Sequence, residues 1–267
     1  MIDRDTAATR KMWVEAVASG AGTIDGQHLY SDRDVRVVWY ADVLDPRSAS
    51  GCDYKSGDSR ARRADSDPEL RQVVSTAGSI LGAITAMVDD SGAAGQLRAL
   101  SADAAFLTDP RKRCAAEQRL ADAIDRARTE GRPVILVAHS LGAVVAYDYL
   151  SARADTGVLE RLITIGSMVG SPDLRRLLIG GDSADSLTRP ASVKRWINIR
   201  NENDWFAAPI TVGKDVVTAA PPDEPDPHEM VGYLRGSATN AEVAADWCDA
   251  FVSKAPSSCA SVRRPPL

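Results

Sequence analysis

The stretch VILVAHSLGAVVAYDYL, residues 134–150, decides the reading of this chain. An apolar run without alternation, PVILVAH (133–139), is what a strand covered on both faces looks like. It runs straight into Ser140-Leu141-Gly142, and a helical pattern over 141–153 follows. Strand, sharp turn and helix therefore meet at one serine. Two explanations stand at this point. The turn presents a nucleophile, or it is a tight connection that happens to contain Ser140.

Working outward, AAEQRLADAIDRARTEG (115–131) places Leu120, Ile124 and Ala127 on one helical face, with Gly131 as its stop. RLITIGS (161–167) and VKRWINIR (193–200) read as further buried strands, and ITVGKDVVTA (210–219) as a short strand or hairpin. A helix is expected over 241–255, another over 6–19, and a strand over 35–40 (VRVVWY). Strands alternating with helices predict an α/β fold with a doubly wound, mostly parallel sheet. We expect one domain over 1–252, with an exposed loop at 45–67. Residues 68–110 are expected as a helical insertion or a lid over the site, and 253–267 as a disordered tail.

Composition narrows the class. The chain has 267 residues, 44% hydrophobic and 26% charged, with a net charge of −5. That balance is ordinary for a globular protein and unlike the basic excess of nucleic-acid binders. No apolar run approaches the length of about 18 residues needed to span a bilayer, and the first residues lack a secretion signal. The four cysteines, Cys52, Cys114, Cys248 and Cys259, show no C-x-x-C spacing, so neither a zinc site nor a redox pair is signalled. Reduced thiols in a cytoplasm are the expectation. No metal-ligand cluster and no cofactor motif is present; GSMVG (166–170) lacks the Lys-Ser/Thr of a phosphate loop.

A serine hydroxyl needs a base to take its proton and a third group to orient that base. A strand–turn–helix elbow requires small residues two positions either side of the serine, here Ala138 and Gly142. The helix that starts at Leu141 aims its first amides at the developing oxyanion. The chain has three histidines. His139 adjoins the serine and is expected to pack or line the substrate site rather than act as base. His28 lies in an early loop. His228, in PDPHEMVGYL after the last strands, is positioned to be the base. The acid is sought in WINIRNENDWFAAPI, where Asp204 is favoured because Trp205 and Phe206 could desolvate it, with Glu202 as the fallback.

These pieces resemble an α/β-hydrolase-fold serine hydrolase of the lipase or esterase kind, over roughly residues 8–252. The resemblance rests on VILVAHSLGAVVAYDYL, LITIGSMVGSP, INIRNENDWF and HEMVGYL, in that order. It implies Ser140, Asp204 and His228 as nucleophile, acid and base. It also implies the Leu141 amide in the oxyanion hole, with His139 and Ser167 as substrate-lining residues. The implied substrate is a small-molecule or lipid ester, cleaved through an acyl-enzyme without cofactor or metal. The chain departs from the family pattern in one place: the early central strand ending in a His-Gly loop has no counterpart. Such a strand would lie between 35–40 and 133–138. The expectation is that Met1 is an internal start, with roughly twenty residues, a strand and its loop, upstream. The rival expectation is a non-catalytic binding or scaffold protein of the same fold.

Overall fold

Alternation along the strands builds the two faces of the sheet. The computed structural model describes residues 6–21, 23–24, 27–28, 34–45, 48–53, 105–107, 109–153, 155, 158–171, 174, 187–219, 221 and 223–250. Strands β3 (Ile135–His139), β4 (Leu159–Ile165), β5 (Val193–Asn201) and β6 (Lys214–Thr218) form a sheet in that order, each pair parallel. Register aligns Val137, Ile163 and Ile197, and places Leu136, Leu162 and Trp196 on the opposite face. Ile163, Ile165, Ile197 and Ile199 pack with Ala16 of α1 (Thr6–Ala21), Tyr233 and Leu234 of α5 (Met230–Arg235), and Val243 of α6 (Ser237–Ala250). Leu162 and Trp196 pack on the other side with α2 (Ala41–Leu44), α3 (Pro110–Thr129) and α4 (Leu141–Ser151). Two apolar cores therefore cover one parallel sheet, as the unbroken hydrophobic strands require. A two-residue ladder, β1 (Thr23–Ile24) with β2 (Gln27–His28), is separate.

Helix α3 starts where the sequence says it can. Asp109 caps it by accepting from the amides of Arg111 and Lys112, and Pro110 occupies the first turn. Its Arg113 forms an ion pair with the fully buried Asp148 of α4, locking the two helices together. The 210–219 segment resolves into β6, a parallel strand rather than a hairpin. The final helix begins earlier than expected, at Ser237.

The predicted strand at 35–40 is not one: residues 35–40 lie outside regular secondary structure. The reason lies at the free edge of β3. Glu160 N–H donates to Val134 O at 2.9 Å and Ser140 N–H to Ile165 O at 3.1 Å, so even-numbered positions face β4. The main-chain groups of Ile135, Val137 and His139 must then face the other edge. Along that edge run two cavities, of about 230 and 120 Å³, separating β3 from Arg36, Val38 and Tyr40. Among the described residues no strand occupies the gap. The 35–40 segment thus has no ladder to join, although Val38 and Tyr40 still pack on the core.

The reduced-thiol expectation is overturned. Cys52 and Cys114 form a disulfide across a sequence separation of 62 residues, and Cys248 is disulfide-bonded as well. The sequence could not reveal this pairing, because the two cysteines meet only through the packing of 48–53 on α3, where Cys52 N–H donates to Arg111 O. Closing a loop of that length restricts the unfolded chain by about 4 kcal/mol in the entropic account. Cys52→Ser is expected to lower unfolding stability by roughly that amount or less, and a denaturant titration reads it. The expected 45–67 loop, the 68–110 insertion and the 253–267 tail lie mostly or wholly outside the described residues. No described helix is long and apolar enough to cross a membrane.

Candidate active site

The site forms at the carboxyl ends of the parallel strands, where loops converge in a doubly wound sheet. Ser140 directly follows β3 with φ 53° and ψ −126°, and it is the one non-glycine residue with positive φ among the described residues. Such a conformation costs on the order of 1–3 kcal/mol and persists only where surrounding packing enforces it. Here the enforcement is two-sided: Ser140 N–H donates to Ile165 O, and Ala143 N–H returns to Ser140 O at 3.0 Å. Ala138 is buried. A Cβ on Gly142 would stand 3.2 Å from the Tyr40 hydroxyl, so the small residue admits that close approach. The Leu141 amide opens α4 and, like other first-turn amides, has no intrahelical acceptor.

His228 comes from the loop between β6 and α5. Its Nε2 lies 3.1 Å from Ser140 Oγ and its Nδ1 2.9 Å from Asp204 Oδ2. With Nδ1–H donating to the carboxylate, Nε2 carries a lone pair toward the serine hydroxyl. The loop is braced locally, since His228 N–H donates to Asp226 Oδ1. The ring is flanked by Phe206 at 4.6 Å and His139 at 4.9 Å between centroids.

Asp204 follows β5 in a tight turn. Its side chain is fully buried, and Oδ1 accepts from the Phe206 amide at 3.0 Å. Burial pushes its pKa up, but the hydrogen bond and charge of His228, with further bonds from Tyr233 and Phe206, outweigh that and hold it below the usual carboxylate value. A buried chain of polar groups anchors this turn to the sheet. Trp196 Nε1–H donates to Thr164, Thr164 to Asn198, and Asn198 to Ala208 O and Asp215.

The structure thus brings Ser140, His228 and Asp204 into one relay. It leaves Glu202 exposed on the neighbouring turn and His28 in the separate β1–β2 ladder. Trp205 does not desolvate Asp204; it is 62% exposed and stacks outward on Phe206 at 3.8 Å. Ser167 is buried, its Oγ accepting from the Val169 amide at 3.1 Å. His139 lies against His228. No cluster of three or more His, Cys, Asp or Glu able to hold a metal exists among the described residues.

Two further positions at the site carry no role in the sequence reading. Tyr233, buried in α5, donates from its hydroxyl to Asp204 Oδ2 at 2.7 Å and accepts from the Asn201 amide at 2.8 Å. Burial and the neighbouring carboxylate push its pKa up, so it stays a neutral donor. The only sequence signal was a tyrosine five residues after His228. Tyr233→Phe leaves the Asn201 amide buried without its acceptor and Asp204 short of a donor. It should cost about 1–3 kcal/mol of stability and roughly ten-fold in kcat, read by denaturant melts and steady-state kinetics. Gly166, φ 54°, is the other: it turns the chain away from β4 directly beneath Asp204 and Tyr233.

The model of the alpha/beta hydrolase family matches residues 89–258, a span that contains Ser140, Asp204 and His228. No curated protein and no solved structure matches the chain.

Proposed function

Because the chain belongs to the alpha/beta hydrolase family, we propose that it is a serine hydrolase cleaving a carboxylic ester of small-molecule or lipid type. The observation that carries this reading is the continuous relay from Ser140 Oγ through His228 to Asp204, built on a strained elbow. In this reading His228 Nε2 takes the hydroxyl proton as Ser140 Oγ bonds to the ester carbonyl carbon. The Leu141 amide steadies the resulting oxyanion. The tetrahedral adduct collapses, the alkoxide leaves with the proton from His228, and an acyl-enzyme remains. Water then repeats the sequence and frees the acid. Asp204 stays ionised throughout, holding the Nδ1–H tautomer.

A p-nitrophenyl ester tests this. The expected result is a burst of p-nitrophenol approaching one equivalent per chain, followed by slower turnover. Neither burst nor turnover would leave the rival reading, a non-catalytic binding protein.

Two finer points belong to the same reading. The disulfides fit an oxidising compartment rather than the cytoplasm expected from the sequence. The second oxyanion donor is assigned to a strand laid parallel to β3 in the edge cavities, one of which reaches His139 and Gly142. The main-chain groups of Ile135, Val137 and His139 there need a polar partner, which a strand supplies and an acyl chain does not.

A further inference from the structure

His139 comes from the strand that delivers the nucleophile, yet it makes its recorded hydrogen bond to the base. Its Nε2–H donates to the main-chain carbonyl of His228 at 2.8 Å. The described residues between Ala219 and Glu229 contain no helix or strand. Its internal ties are short-range: Glu224 N–H to Pro221 O, Glu229 N–H to Asp226 O, and His228 N–H to Asp226 Oδ1. A catalytic imidazole on such a loop needs a fix to the sheet independent of its own ring nitrogens, which are committed to Ser140 and Asp204. We propose that His139 is a positioning residue: its Nε2–H holds the His228 carbonyl and thereby keeps the base in register with Ser140. The inference rests on the proposed triad and adds a residue to it.

The arrangement has a charge requirement. The His139 ring lies 4.9 Å from the His228 ring and 6.2 Å from Tyr233, with Asp204 and Asp226 also acting on it. During acylation His228 becomes an imidazolium. A second cation beside it would oppose that step, so His139 must hold the carbonyl as a neutral donor. Burial, and then the charge of His228, lower the His139 pKa to about 4, which keeps it neutral near pH 7. With Nε2 protonated as donor, Nδ1 is bare, so one tautomer is selected.

Two substitutions separate the donor from the ring. His139→Phe keeps an aromatic ring against His228 and removes the donor; His139→Gln supplies a neutral N–H of similar reach and removes the ring. The expected result is a fall in kcat of about ten- to hundred-fold for Phe with KM little changed. Gln should return to within a few-fold of wild type. Equal activity of Phe and wild type, or equal loss in Phe and Gln, overturns the inference while leaving the triad reading intact. Absence of Ser140-dependent turnover in the wild type overturns both. Nitrogen-15 NMR of the wild-type imidazoles gives an independent reading. His139 should show a single Nε2–H tautomer that does not titrate near pH 6.5 and protonates only toward about pH 4. A midpoint near 6.5 contradicts the neutral-donor role, whatever the fate of the variants.

Discussion

Ser140→Ala is expected to lower ester turnover by about ten-thousand-fold or more, with a stability change within about 1 kcal/mol. On the proposed mechanism the loss is large because the substitution removes the atom that would form the acyl bond, while the relay behind it stays assembled. His228 keeps Asp204 at 2.9 Å, and Asp204 keeps Tyr233 at 2.7 Å. The stability change is small because alanine meets the same backbone demand at φ 53° and the hydroxyl contributes one partly exposed hydrogen bond. His228→Ala should give a similar loss, and the double variant little more, since the two residues act as a unit. A Ser140→Ala protein that retains appreciable turnover would move the chemistry elsewhere.

Gly166→Ala is expected to slow turnover through the residues behind the nucleophile, by less than loss of the nucleophile itself. At φ 54° the backbone is in the left-handed region, which a Cβ penalises by roughly 1–2 kcal/mol. The added carbon would lie 3.0 Å from Tyr233 Cε2, 3.1 Å from Asp204 Oδ2 and 3.3 Å from His139 Cδ2. It is therefore driven into the acid, the residue that donates to that acid and the residue that holds the base. Rigid neighbours give little room: Asp204 and Tyr233 are both buried. Overpacking adds about 1–3 kcal/mol of destabilisation. Contacts this close need the acid or Tyr233 to give by a few tenths of an ångström, and because a displacement of about 1 Å costs on the order of a hundred-fold in rate, a loss of roughly ten-fold is expected. Kinetics together with thermal unfolding check both parts. An alanine variant with wild-type kcat would show that this contact is not rigid.

Much of this arrangement was legible in the sequence because it is local. The elbow is encoded within five residues, Ala138 to Gly142, and the apolar runs read as buried strands at 133–139 and 161–167 overlap β3 and β4, in a sheet covered on both faces. The scarcity of histidines narrowed the search for a base, and the order of the loops singled out His228. What was not legible depends on contacts between distant segments. A strand-like composition at 35–40 forms no strand because the edge it would join is separated from it by a cavity. The Cys52–Cys114 bond has no spacing signature. Trp205 was expected to shield Asp204 from its place in the sequence, but the turn sends its ring outward, and the shielding falls to the sheet and Tyr233. Gly166 looked like one of several glycines in GSMVG until the three side chains crowding it were seen.

The central claim is that Ser140 is a nucleophile activated by His228. The most direct measurement treats the protein with a fluorophosphonate and identifies the modified peptide by mass spectrometry. The account predicts one adduct, on Ser140, formed rapidly in the wild type and slowed by at least about a hundred-fold in His228→Ala. An adduct on another residue, or labelling of Ser140 at the same rate without His228, would contradict it.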